Sequence, residues 1–178
     1  ALLADAGYGD GLKITLHTFI LQAMSLLEAD GMEIWLYDPD RKVLDAGSKA
    51  GFRTSAVDRD YLPLGQGIAG RTALTRRIYE VSDSHSDPVL LRYPELANEG
   101  FRAYYSIPLL ARGMVVGVWN IFHRHPASFS PEWVDLVAEM SIHAALAIDN
   151  AMVVERLQAR QVEAGHLTDE TLERLAGQ

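Results

Sequence analysis

Residues 65–70 read Gly-Gln-Gly-Ile-Ala-Gly, the spacing with which a strand-to-helix turn cradles a dinucleotide pyrophosphate. That chemistry needs an apolar parallel strand before the first glycine, a helix after the last, and an acid about 20 residues further on. The preceding "VDRDYLPL" carries three charges and a proline, which makes a poor buried strand. The alternating segments around it form hairpins, which are antiparallel. No P-loop lysine follows, because Arg71 and Thr72 occupy the next positions. The glycines are therefore expected to shape backbone: Gly65 and Gly67 a sharp turn, and Gly70 a close approach of a short helix to a neighbour.

The other reactive side chains form no recognised constellation. There are no cysteines, which excludes disulfides, thiolate metal sites, thiol nucleophiles and thioether-linked cofactors. G-x-S-x-G, H-E-x-x-H and paired-acid motifs are absent. The six histidines are scattered. His123 and His125 sit two apart at an expected strand end; a weak metal chelate and a solvated strand end both fit, and the solvated end is the reading taken, with no metal site expected. His85 lies in a loop and His143 in a long helix. No catalytic residue is expected; an enzyme using loop His and Asp residues, with His85 as the one to substitute, is the rival in that class.

The 178 residues suit a single domain, and 48% apolar content supports a full core. The net charge of −8 disfavours nucleic acid, which needs a concentrated basic face; Arg71, Arg76 and Arg77 are flanked by acids. No run of 18 uncharged apolar residues occurs, so no membrane span is expected. No basic stretch leads into an apolar one as a signal peptide would. A chain that starts at Ala1 is expected to be a fragment of something longer.

Several elements must position any site. Residues 1–10 read as a loose lead-in. From Leu12 to Leu27, apolar residues recur every three or four, an amphipathic helix. Residues 32–38 and 42–49 alternate around "DPDRK", a hairpin. Residues 52–63 look irregular. A short helix over 68–77 and a short strand "IYEVSD" follow, then weak helicity over 90–97 interrupted by Pro94. The strands 103–110 and 114–122 flank "ARG". Ser130 and Pro131 open a helix of over 30 residues as N-cap and N1. Its Leu136, Met140, His143, Ala147, Ala151, Val154 and Leu157 or Gln158 approximate a heptad seam. Gly165 is expected to end it, with Thr168 capping one more short helix.

Read together, "LPLGQGIAGRTALTRRIYEVSD", "DP", "GFRAYYSIPLLARGMVVGVWNI" and "FSPEWVDLVAEMSIHAALAIDNA" resemble the GAF domain family over about residues 11–152. "TRRI" at 75–78 departs from the family's Thr-Gly-x-Pro, and Ala103 stands where Ser is frequent. The resemblance implies an α/β (α+β) fold with a central antiparallel five- or six-stranded sheet. The N- and C-terminal helices would lie on one face, with pocket-covering loops and short helices on the other. Residues 153–178 would be a C-terminal signalling helix leading to an output domain.

A two-residue turn would pair Ser106 with Trp119. A three-residue turn at Ala111–Gly113 would pair Ser106 with Val118 and sorts the residues better. It puts Tyr105, Ile107, Leu109, Val115, Gly117, Trp119 and Ile121 on one apolar face, suited to the helices. Tyr104, Ser106, Pro108, Val116, Val118, Asn120 and Phe122 form a mixed face, joined by Trp35 and Tyr37 of the first hairpin. The expected ligand contacts are thus Trp35, Tyr37, Tyr104, Ser106, Val118, Asn120 and Phe122, with Asp83 at the family's strand-end Asp position, where loop bracing is its other role. Both faces being plain core, with hydroxyls bonded internally, is the competing reading.

The resemblance also narrows the chemistry. Covalent bilin and methionine sulfoxide reductase activity both need Cys, which is absent. A haem-binding member would need an axial histidine, for which only His85 is placed. Of the cyclic-nucleotide signature only Phe129 matches; His123-Arg124 and Trp133-Val134 do not. The expectation is a non-catalytic sensory domain of a cytoplasmic, bacterial-type signalling protein. It would bind an unidentified small molecule, form a homodimer through its first and last helices, and signal along the last one. A ligand-free dimerisation module is the alternative, and a haem- or cyclic-nucleotide-binding sensor the third.

Overall fold

The computed structural model describes residues 9–55, 59–86 and 94–176. Most of the lead-in, and residues 90–93 of the weakly helical stretch, lie outside them. In chain order the elements are α1 (Asp10–Leu27), β1 (Gly31–Asp38), β2 (Val43–Ala50), β3 (Tyr61–Pro63), α2 (Gly67–Thr75), β4 (Tyr79–Val81), a 3-10 turn (Ser84–Ser86), α3 (Pro94–Asn98), β5 (Ala103–Ala111), β6 (Met114–His123) and α4 (Pro131–Ala176). The strands form one six-stranded antiparallel sheet in the order β3-β2-β1-β6-β5-β4. The α+β architecture and the division of faces agree with the sequence reading. β3, inside the stretch read as irregular, is the addition.

One face is the main core. From α1, Leu12, Leu16, Ile20, Ala23 and Leu27 pack on Met32, Ile34 and Leu36 of β1 and on the apolar side of β5 and β6, and α4 adds Val137, Ala144, Ala145 and Ile148. Large side chains buried in this way contribute about 1.5–3 kcal/mol each. Leu26, which the three-and-four spacing from Leu12 to Leu27 also takes in, is exposed. α1 stops at Glu28, whose left-handed backbone (φ 51°) caps it. Ser130 caps α4 as expected, its Oγ accepting the Trp133 N–H at 3.2 Å.

The β5–β6 hairpin differs from both expected registers. Arg112 and Gly113, at φ 52° and 74°, form a two-residue turn pairing Ala111 with Met114. This is the primed geometry that matches strand twist. A bulge then sets Leu109 opposite Gly117 and Leu110 opposite Val115, so Ser106 faces Asn120 rather than Val118. Turn plus bulge shifts the pairing by two residues from the expected one, and an even shift keeps side chains on their faces. The exceptions sit at the bulge, where Val116 turns into the helix-side core and Val115 packs on the opposite side, the reverse of expectation.

α4 continues unbroken for 46 residues. Gly165 does not end it, and Thr168 bonds the Ala164 carbonyl at 2.7 Å instead of capping a new helix. One interior glycine costs a helix about 1 kcal/mol, too little to break a long one. By length and composition α4 could also cross a membrane, with an apolar window of mean hydropathy 1.3, which the sequence reading did not expect because two charges interrupt the run. Its inner residues are spent on the domain core.

Candidate functional site

The glycine loop follows β3, which runs antiparallel to β2, so it lacks the parallel strand of a dinucleotide fold. Gly65 and Gly67 adopt φ 81° and 64°. A Cβ on Gly70 would lie 2.6 Å from the Pro63 carbonyl oxygen. The glycines therefore seat α2 against β3, as the sequence indicated. α2 and α3 then cover the sheet face opposite the long helices.

Beneath them the sheet carries two apolar clusters. Trp35 and Val118 pack with Leu44, Leu62, Ala69 and Ala73, with Tyr37 partly buried against them. Tyr104 and Phe122 pack with Ile68, Leu96 and Phe101. A polar seam of side chains runs across the same face, from β1 through β6 and β5 to α2. Asn120 Nδ2 donates to Glu33 Oε1 at 2.8 Å, and the Ser106 hydroxyl donates to Asn120 Oδ1 at 2.5 Å. The Thr72 hydroxyl lies 2.6 Å from Ser106 Oγ. Since Ser106 donates onward, Thr72 must be the donor in that last bond. All four residues are buried. The chain of donors thus converges on one carboxylate.

Burial pushes the Glu33 carboxyl above the usual range; Trp35, Asn120 and Lys49 oppose the shift without overcoming it. The Trp35 indole N–H lies near the carboxyl but is not aligned for a hydrogen bond. Glu33 also stands at the wall of two adjoining spaces. One is a cleft of about 520 Å³ along β1 and β2, bordered by Lys13, Ser48, Lys49 and Asp60. The other is a cavity of about 50 Å³ under α2 and α3, bordered by Leu62, Ile68, Leu96 and Asn120. Glu33, Trp35 and Arg59 line both. Arg59 reaches Glu95 of α3 at 3.0 Å, an ion pair that closes over the small cavity. A half-exposed pair of this kind contributes about 0–1 kcal/mol, so it opens readily.

Of the residues named from sequence, Trp35 and Asn120 border this space and Ser106 is linked to it through Asn120. Tyr104, Val118, Phe122 and Tyr37 support its walls. The Tyr104 hydroxyl lies 3.5 Å from an Arg71 guanidinium nitrogen, and Arg71 stacks 3.8 Å over the Tyr79 ring. Asp83 borders neither space. It accepts two bonds from Arg102 at 2.8 and 3.0 Å, which hold its carboxyl below the usual range, and so it braces the loop. His85 sits beside Asp83, exposed, and borders neither space.

Glu33 and Thr72 were not singled out from sequence. Glu33 alternates onto the face of Trp35, and that was the signal; an acid in a strand reads as solvent-facing until β6 flanks it and α2 and α3 cover that face. Glu99 is a second buried acid. It accepts Arg53 N–H, Thr54 N–H and the Thr54 hydroxyl at 2.6–2.7 Å. Against its burial, these bonds and Arg124 hold its carboxyl below the usual range. It pins the segment after β2 and no local pattern announced it.

A family model described as a GAF domain matches residues 12–149. The chain belongs to the GAF domain family. Its fold is similar to the GAF domain of a phosphoenolpyruvate-protein phosphotransferase from Coxiella burnetii, at 21% identity and a TM-score of 0.71 over 82% of this chain and 86% of that one. A domain of a two-component sensor histidine kinase protein from Sinorhizobium meliloti 1021 matches at 12% identity and a TM-score of 0.65, over 81% and 94%. Type II free methionine-R-sulfoxide reductase from Thermoplasma acidophilum matches at 17% identity and 0.65, over 79% and 94%.

Proposed function

We propose that this chain is a non-catalytic sensory domain that binds a small molecule against Glu33 and signals through α4. The carrying observation is a buried carboxyl that ends a chain of donors and borders both a wide cleft and a small cavity. A buried acid is costly to ionise, and burial outweighs the opposing Lys49 charge here, so a ligand N–H or cation would relieve that cost. The flanking Trp35, Leu62, Ile68 and Leu96 suit a compact, partly flat ligand. Entry would part Arg59 from Glu95 and bias α2 and α3 between closed and open arrangements, a population shift. Because Glu33, Ile34 and Trp35 are consecutive in β1, movement on one face reaches the α1 and α4 core on the other. The histidine kinase among the fold relatives supports a signalling role. The enzymatic relative does not extend to thiol chemistry here, because this chain has no cysteine.

The homodimer belongs to the same proposal, as does a cytoplasmic, bacterial-type parent protein with an output domain beyond α4. Ile14 and Leu21 of α1, and Ile142, Leu146, Val153, Val154 and Leu157 of α4, are exposed and apolar. Of the expected heptad positions, Leu136, Met140 and Ala151 pack partly on the domain's own core while Val154 and Leu157 stay exposed, so Ile142, Leu146 and Val153 would complete the seam. One observation favours the ligand-free dimerisation module: the cavity under α2 and α3 is only about 50 Å³, room for very few atoms until α2 or α3 moves. Against it, Trp35 and Tyr104 pack in separate clusters on either side of the polar seam.

Native mass spectrometry of the purified protein separates these readings. A dimer retaining a small-molecule mass, lost on Glu33→Ala, is expected. A dimer with no retained mass and no ligand from a metabolite screen sinks the sensor reading and leaves the dimerisation module. A monomer at high micromolar concentration sinks the signalling seam.

A further inference from the structure

The geometry points to a binding site for one divalent transition-metal cation, zinc or a close neighbour, on Asp30, His123 and His125, outside the ligand cavity. The sequence reading took this pair of histidines as a solvated strand end. That holds for His125, but His123 is only 4% exposed. Asp30 stands between α1 and β1, and its backbone N–H bonds the Phe122 carbonyl at 2.9 Å, which locks it beside His123 at the end of β6.

One donor atom from each of the three side chains lies within 4.8 Å of the other two. His125 Nε2 and Asp30 Oδ2 are 3.8 Å apart. Zinc bonds of 2.0–2.2 Å at the tetrahedral angle set donor atoms about 3.4 Å apart, so a small closure suffices. His125 Nδ1 lies 3.0 Å from the Pro126 carbonyl. That oxygen only accepts, so Nδ1 carries a proton, and in the matching neutral tautomer Nε2 is a bare acceptor facing Oδ2. Two acceptors then face each other with room for a cation between them. Asp30 Oδ2 is held by the Arg124 N–H at 2.6 Å. Carbonyl and backbone partners of this type orient metal ligands.

His123 is the independent sign. Among the described residues neither ring nitrogen has an aligned hydrogen-bond partner; the Glu28 backbone lies near the ring without that alignment, and a buried polar group is costly when unpaired. A neutral imidazole there would offer a lone pair to the cation. Two imidazoles and a carboxylate suit zinc and ions of similar preference, with a position open for water or a further ligand. The Phe129 and Trp133 rings lie 6.0 and 6.2 Å from His123, so the cation would sit at the root of α4, a second input to the helix on which signalling is proposed.

The test uses the whole chain after chelator treatment, titrated with zinc alone by calorimetry and by competition with a chromogenic chelator. One saturable equivalent is expected, with a rise in melting temperature. His125→Ala is the deciding variant, because an exposed ring can be removed without opening the core. Its metal-free melting temperature should match the wild type while zinc affinity falls at least tenfold, and Asp30→Asn should weaken zinc similarly. No saturable uptake by the wild type would overturn the site. Unchanged affinity in His125→Ala would also overturn it, since the metal would then be held elsewhere.

Discussion

At the scale of single residues, Glu33 concentrates the argument. Its folded pKa is raised, so ionisation opposes folding at higher pH. Below the ordinary Glu value of about 4.3 the group is protonated in both states and the penalty vanishes; it grows as pH rises toward the folded pKa. Glu33→Gln removes the penalty and can still accept the Asn120 amide. Its melting temperature should therefore exceed the wild type's near pH 8, with the difference shrinking toward about pH 4; a pH series of thermal melts reads this. A constant difference at every pH would place the carboxyl in water. Alternation already put Trp35, Ser106 and Asn120 on the mixed face. What makes Glu33 unusual is its burial, which depends on a partner strand 87 residues away in sequence at Asn120.

At the scale of elements, the glycines of the 65–70 segment determine how α2 sits. Gly70→Val would drive carbon into the Pro63 carbonyl oxygen. Overpacking of this kind costs about 1–3 kcal/mol, so the melting temperature should drop by several degrees. Gly11 in α1 is the internal control: a Cβ there meets nothing within 4 Å. Gly11→Ala should raise stability by about 0.5–1 kcal/mol through helix propensity. Denaturant titration of both variants checks the pair, and loss of stability in both would remove the packing explanation. The motif was legible as backbone shaping because its neighbours were wrong for a phosphate cradle. The hairpin register was not legible. The turn and the bulge at Val116 each alter the count by a small number of residues, and local sequence weighs such alternatives almost equally.

For the whole molecule, α1 and α4 form one layer on the sheet, and α4 carries exposed apolar residues beyond what the domain buries. Leu146 is half exposed, so Leu146→Asp should leave the monomer's fold intact and weaken the proposed dimer at least tenfold. Sedimentation at several concentrations, alongside an unchanged melting temperature of the dilute protein, checks this. Equal self-association in the variant would move the interface away from this face of α4.

By itself the sequence determined what is local or periodic. Alternation sorted the strand faces, the three-and-four spacing gave α1 and α4, and Ser130-Pro131 marked where α4 starts. An empty cysteine count removed thiol chemistry. Tertiary structure alone decided what depends on distant segments meeting. It brought Glu33, Asn120, Ser106 and Thr72 from four elements into one hydrogen-bonded line, buried His123 beside Asp30, and left the other face of α4 uncovered. Burial and electrostatics are set by what lies across the fold, and no residue's own neighbourhood in the chain states what that is.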